Sequence, residues 1–157
     1  MTLTDLSKAV GKLLTKRKVT IAVCESCTGG MFGSIITGIP GSSKYFLGGV
    51  IAYSNYVKVK FVGVQQKTVK KYGAVSAETA REMATRIRKK LKSDIGIGIT
   101  GIAGPTGGTK KKPVGLVYIA LSLRRKIVIK QFLCKGMRET IRKKACKEAL
   151  SLLRHSL

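Results

Sequence analysis

A chain of 157 residues with 44% apolar side chains is long enough for one compact core and too apolar for a disordered segment. Its 31 Lys and Arg stand against 7 Asp and Glu, a formal +24, and a field of that sign attracts phosphates on a nucleotide or a polynucleotide. No apolar run reaches membrane-spanning length, and Met1 to Lys18 lacks the apolar block of a secretory signal, so a cytoplasmic protein without a membrane partner is expected.

In chain order, Thr4 to Arg17 reads as an amphipathic helix with Leu6, Val10, Leu13 and Leu14 on one face. Val19 to Cys24 is β-prone and stops in Glu25-Ser26-Cys27-Thr28-Gly29-Gly30, after which Met31 to Thr37 reads as helix. Pro40 to Ser43 is a loop by composition, and Phe46 to Ser54 is a strand weakened by Gly48 and Gly49. Short helical pieces are expected at Val57 to Phe61 and Gln66 to Tyr72. A stronger helix, Ala77 to Leu91, repeats Ala80, Met83, Ala84, Ile87 and Leu91 at helical spacing. Ile95 to Thr100 is a Gly-interrupted strand that runs into a Gly-rich loop carrying Lys110, Lys111 and Lys112. Val114 to Ser122 and Lys126 to Cys134 form a hairpin around Arg124-Arg125, and Arg138 to Arg154 closes the chain as a helix with Ile141, Ala145, Ala149 and Leu152 inward. Strands alternating with helices imply a single α/β domain over residues 1–157, a three-layer α/β/α sandwich whose central sheet is mixed because of the late hairpin.

Loops after strand ends are the usual ligand crevice of an open α/β sheet. Three of them carry hydroxyls and glycines here: Ser26 to Gly30, Tyr53 to Asn55, and Thr100 to Gly108. A serine at a strand-to-helix turn can be a nucleophile with backbone oxyanion donors, and the free N–H groups of the following helix favour an anion. Ser26 and Thr28 can equally be helix caps. Cys24 and Cys27 form a C-x-x-C, but Cys134 and Cys146 are too widely spaced to complete a zinc site and His155 is the single histidine. Buried thiols are the expected reading, with no metal.

The chain resembles the CinA C-terminal domain family, competence/damage-inducible proteins whose free-standing members include nicotinamide mononucleotide deamidases. The resemblance rests on E-S-C-T-G-G at Glu25 to Gly30, P-G-S-S at Pro40 to Ser43, and G-G-V-I-A-Y-S-N-Y-V-K at Gly48 to Lys58. It continues with G-A-V-S at Gly73 to Ser76, T-G-I-A-G-P at Thr100 to Pro105, and K-P-V-G at Lys112 to Gly115. These stand in the family's order from about residue 5 to 153; the molybdopterin-binding-like domain of larger members is not among them. The resemblance implies hydrolysis of the carboxamide of nicotinamide mononucleotide to nicotinate mononucleotide and ammonia, by a serine–lysine mechanism that needs no cofactor. It makes Ser26 the nucleophile and Lys58 the base, with Tyr53 beside it. It draws the substrate contacts from the same motifs: Thr28, Gly29, Gly30, Ser42, Ser43, Asn55, Thr100, Gly101 and Gly104, with Arg142 on the last helix. A homo-oligomer is expected. The family's small residue is replaced by Cys24, and its commonly acidic position after G-P by Thr106.

The residues agree with that chemistry in one respect. A carboxamide is a poor electrophile, and a chain with no histidine in its body cannot build a Ser-His-Asp triad, which leaves a lysine as base. Burial and neighbouring positive charge both lower a lysine's pKa toward neutrality. The alternatives are a nucleic-acid-binding or catalytically inactive CinA-like protein, with nucleic acid held only through non-specific charge, and a thiol oxidoreductase using Cys24 and Cys27. The chain lacks the dense aromatic interleaving of single-strand binders.

Overall fold

A computed structural model describes all residues 1–157. Helix α1 (Leu3–Arg17) opens on a capping box in which Thr2 and Asp5 satisfy each other's backbone N–H groups, and it ends where Lys18 turns left-handed. That turn delays the first strand, so β1 spans Ile21–Glu25 rather than starting at Val19. Helix α2 (Met31–Thr37) follows, then a 3₁₀ turn at Ser42–Lys44 and strand β2 (Phe46–Ile51). β2 stops three residues short of the predicted end because Ser54 caps the next helical turn, its Oγ accepting from Val57 N–H. α3 (Asn55–Val57) runs directly into a π-helical turn, Lys58–Val62, and α4 spans Gln66–Tyr72. α5 (Ala77–Leu91), β3 (Ile95–Gly101), β4 (Leu116–Ser122), β5 (Ile127–Leu133) and α6 (Arg138–Ser156) complete the chain.

The five strands form one sheet in the order β2-β1-β3-β4-β5. β1 is parallel to both β2 and β3, whereas β3–β4 and β4–β5 are antiparallel, so the sheet is mixed as the hairpin implied. One face packs on α1, α2 and α6 through Leu6, Val10, Leu14, Phe32, Ile36 and Ile141. Leu13 and Leu152, predicted to face inward, are only half-buried; Leu150 and Leu153 fill the α6 side instead.

The other face carries α5, with Met83 and Ile87 against Ala22, Cys24, Val62 and Val64. The glycines that interrupt β3 have a physical reason. A Cβ built on Gly96 or Gly98 would lie 2.0 Å from Ala84 O or 2.4 Å from Ala80 O, so only glycine lets α5 cross β3 this closely. Helices on both faces make the three layers. Since β1 and β3 are parallel neighbours, their C-terminal ends, with Ser26 and Thr100 to Gly101, meet at one end of the sheet.

Candidate active site

Ser26 leaves β1 with its N–H bonded to Ile99 O of β3 at 2.9 Å, which holds it at the lip of the sheet. It is 7% exposed. Lys58 reaches the same point from the π-helical turn, its backbone N–H bonded to Ser54 O and its carbonyl receiving Gly63 and Val64 N–H. Such turns recur at functional sites because they displace one side chain from the helical register. Lys58 is 1% exposed, and its Nζ donates to Ser26 Oγ at 3.0 Å and to Tyr53 O at 3.2 Å.

Neither of those acceptors is an anion. Burial therefore dominates and pushes the Lys58 ammonium below its ordinary value of 10.5, with Cys24 and Cys27 opposing weakly. The thiols move the other way: desolvation pushes Cys24 and Cys27 up to about 12, and Cys146 up as well. At neutral pH they are inert packing groups.

A cavity of about 330 Å³ opens over this pair. Ser26, Tyr53, Asn55, Lys58, Thr100, Gly101 and Gly104 of the expected set line it, joined by Thr106 and Arg138. Thr100 contributes its wall side, since its hydroxyl donates to Ala74 O at 2.8 Å. Lys58 and Arg138 are the only charged side chains in the lining.

The remaining expected contacts stand elsewhere. Thr28, Gly29 and Gly30 do not line the cavity. The helix start that was expected to receive an anion already holds one: the Glu25 carboxylate accepts from Gly30, Phe32 and Gly33 N–H at 2.9–3.1 Å. An internal carboxylate satisfies those donors, so none is left for a ligand. Arg142 does not line the cavity either; it donates to Cys27 O and Thr28 O at 3.1 and 2.8 Å and so pins the Ser26 turn from behind. One turn earlier on α6, Arg138 donates to Gly104 O at 2.7 Å and to Tyr53 Oη at 3.0 Å, and it faces the cavity. The resemblance put the substrate contact at Arg142, and nothing in the i, i+4 spacing of Arg138 and Arg142 tells which one turns to the cavity. Ser42 and Ser43 precede β2, whereas Ser26 follows the parallel β1, so a strand's length of roughly 20 Å separates them within one chain.

A larger cleft, about 430 Å³, lies between α1 and residues 39–45 and is lined by Lys8, Lys12, Lys16 and Lys44. It holds no nucleophile–base pair.

These features define a class: a three-layer α/β domain with a buried serine–lysine pair at the carboxyl ends of its parallel strands. The family model of the CinA C-terminal domain matches residues 3–157, and the chain belongs to that family. It is 51% identical over 153 residues to a CinA-like protein of Kosmotoga olearia, covering 98% of this chain and 37% of that one. It is 62% identical over 119 residues to a protein of Halothermothrix orenii named for competence-damage induction, covering 76% of this chain and 29% of the relative. The chain thus spans about a third of the length of the curated relatives it matches. Among solved structures, competence damage-inducible protein A of Klebsiella pneumoniae superposes with a TM-score of 0.96 at 29% identity, covering 99% and 96% of the two chains. The CihA protein of Agrobacterium tumefaciens superposes with a TM-score of 0.94 at 33% identity, covering 96% and 93%. No helix is long and apolar enough to cross a membrane.

Proposed function

We propose that this chain is a serine–lysine amidohydrolase whose substrate is nicotinamide mononucleotide and whose products are nicotinate mononucleotide and ammonia. The observation that carries the reading is the 3.0 Å contact between Ser26 Oγ and the buried, carboxylate-free Lys58 Nζ. A lysine kept from water, with no anion beside it, can be neutral at working pH and accept a proton.

In this mechanism neutral Lys58 takes the proton of Ser26 as Oγ bonds to the carboxamide carbon, and the carbonyl electron pair moves onto oxygen. The N–H of Cys27, the residue after the nucleophile, donates to no backbone carbonyl and is available to that oxyanion. Lys58 then returns its proton to the departing nitrogen, the C–N bond breaks, and ammonia leaves an acyl-serine. Water attacks that ester with Lys58 again as base. The carboxylate is released and Ser26 recovers its proton.

The cavity's volume is within the range of small-ligand pockets, and a lining that holds the Arg138 guanidinium and no carboxylate suits a substrate carrying a phosphate. Arg138, already oriented by Gly104 O and Tyr53 Oη, is the group that meets it. The test is direct: purified protein is incubated with nicotinamide mononucleotide, and ammonia and the acidic nucleotide are measured against a Ser26→Ala control. Stoichiometric formation of both, absent in the control, is expected. No turnover by the folded wild type rejects the substrate assignment.

A further inference from the structure

The lysines of α1 are not spread evenly around the helix. Lys8, Lys12 and Lys16 stand at i, i+4 and i+8, so a basic row about 12 Å long runs along one side. Residues 39–45 form the opposite wall of a cleft of about 430 Å³, and Lys44 adds a fourth ammonium from that side. No carboxylate lines the cleft, and none of the four lysines is in an ion pair; the chain's one ion pair joins Lys143 to Glu139 on α6. Asp5, the only acid on α1, is engaged by the N–H and Oγ1 of Thr2. Four like charges around one cleft repel one another until an anion enters.

The floor of the cleft holds an unsatisfied group. Tyr45 is 2% exposed, and its Oη, set against Gly11 in the lining, is buried with no hydrogen-bond partner. A buried hydroxyl ordinarily has one. Glycine is unfavourable inside a helix, yet a Cβ at position 11 would lie 2.6 Å from that oxygen, so α1 is notched where the hydroxyl arrives. Lys8 and Thr15, three and four residues from Gly11, share its side of the helix. Thr15 commits its own hydroxyl to Gly11 O at 2.8 Å, which leaves Tyr45 as the free donor among them.

We propose that this cleft is a second ligand site and that it binds a chain of phosphates, either an inorganic oligophosphate or the polyphosphate of a nucleotide. Lys8, Lys12 and Lys16 contact the chain along one wall, Lys44 meets it from the other, and the Tyr45 hydroxyl donates from the floor. The length of the lysine row selects an extended anion, since a lone orthophosphate spans only part of it. A polynucleotide fits less well: the one aromatic ring in the lining is buried and offers no face on which a base could stack. The site borders the start of β2, a strand's length from the Ser26 cavity, and does not depend on the chemistry proposed there.

Isothermal titration calorimetry with inorganic tripolyphosphate, at physiological ionic strength, tests the site. One tight site per chain is expected, with orthophosphate weaker by about tenfold or more. Lys12→Gln with Lys16→Gln should weaken tripolyphosphate by about tenfold or more, whereas Lys89→Gln with Lys90→Gln, an equal loss of charge at exposed positions of α5, should not. Arg138→Ala should also leave it unchanged, which separates this cleft from the Ser26 cavity. Tyr45→Phe removes an oxygen that the fold leaves unpaired, so the melting temperature should not fall while tripolyphosphate binding weakens about tenfold. A nucleoside triphosphate that binds more tightly than tripolyphosphate names the nucleotide as the source of the chain; one that binds more weakly names the inorganic form. No binding by wild type, equal losses in the two lysine pairs, full affinity in Tyr45→Phe, or displacement of tripolyphosphate by a lower concentration of a single-stranded oligonucleotide each overturns the proposal.

Discussion

Replacing Lys58 by Met separates a general base from a structural cation, because two readouts move in opposite directions. The side chain keeps its length and apolar stem but loses the amine that stands 3.0 Å from Ser26 Oγ. General-base assistance is typically worth about 10²–10⁴ in rate, or roughly 3–5 kcal/mol of transition-state stabilisation, so turnover measured as ammonia release should fall by at least that factor. Stability should rise. Lys58 is 1% exposed and meets only a hydroxyl and a carbonyl, so its charged form is disfavoured in the folded state.

The sign is the reverse of a paired lysine's. With a folded pKa below the unfolded 10.5, the unfolded chain binds a proton that the folded chain releases, so wild-type stability increases as pH rises from the folded pKa toward 10.5. Below that window the cost of burying the charge is fully present, and Lys58→Met removes it. A higher melting temperature than wild type is expected near neutral pH. The difference should shrink on going alkaline, and wild-type activity should rise with pH through the same ionisation. A folded Lys58→Met protein within tenfold of wild-type turnover would refute the base assignment. A lower melting temperature with no pH dependence would refute the account of its environment.

Ser26→Ala should abolish turnover with little change in melting temperature, since Oγ only receives the Lys58 bond; retained ammonia release would remove Ser26 from the chemistry. Arg138→Ala should raise KM for a phosphorylated substrate about 10–100-fold with a smaller effect on kcat, as expected for one charge-assisted contact; an unchanged KM in steady-state assays would deny it the phosphate. Glu25→Ala leaves Gly30, Phe32 and Gly33 N–H without their acceptor and should cost about 2–4 kcal/mol in denaturant unfolding, whereas a loss under 1 kcal/mol would show that water replaces the carboxylate. Cys24→Ala combined with Cys27→Ser should remain active, the thiols being buried and un-ionised; a folded but inactive protein would return the C-x-x-C to the chemistry.

What the sequence determined by itself was what short-range physics writes into periodicity and turn chemistry. The inward stripe of α5 through Ala80, Met83, Ala84 and Ile87 is helical spacing, and all four are fully buried. The hairpin around Arg124-Arg125 follows from two apolar runs and a charged turn, and it makes the sheet mixed. The lack of a usable histidine and the motif order pointed to Ser26 and Lys58, 32 positions apart, before any geometry was known.

Tertiary structure alone decided what those residues meet. Burial of Lys58 depends on a π-helical turn packing under α5 and β1, which no local pattern encodes. Glu25 could not be read as the cap of α2, because a carboxylate in a strand becomes a cap only once the chain folds back over it. Arg138 and Arg142 have the same residue type and share a helix face, yet one faces the cavity and the other grips the Cys27 and Thr28 carbonyls. That choice is set by where α6 docks on the sheet. Ser42 and Ser43 stand at the far end of β2 because a parallel sheet puts strand starts and strand ends on opposite sides, a consequence of topology that sequence proximity conceals.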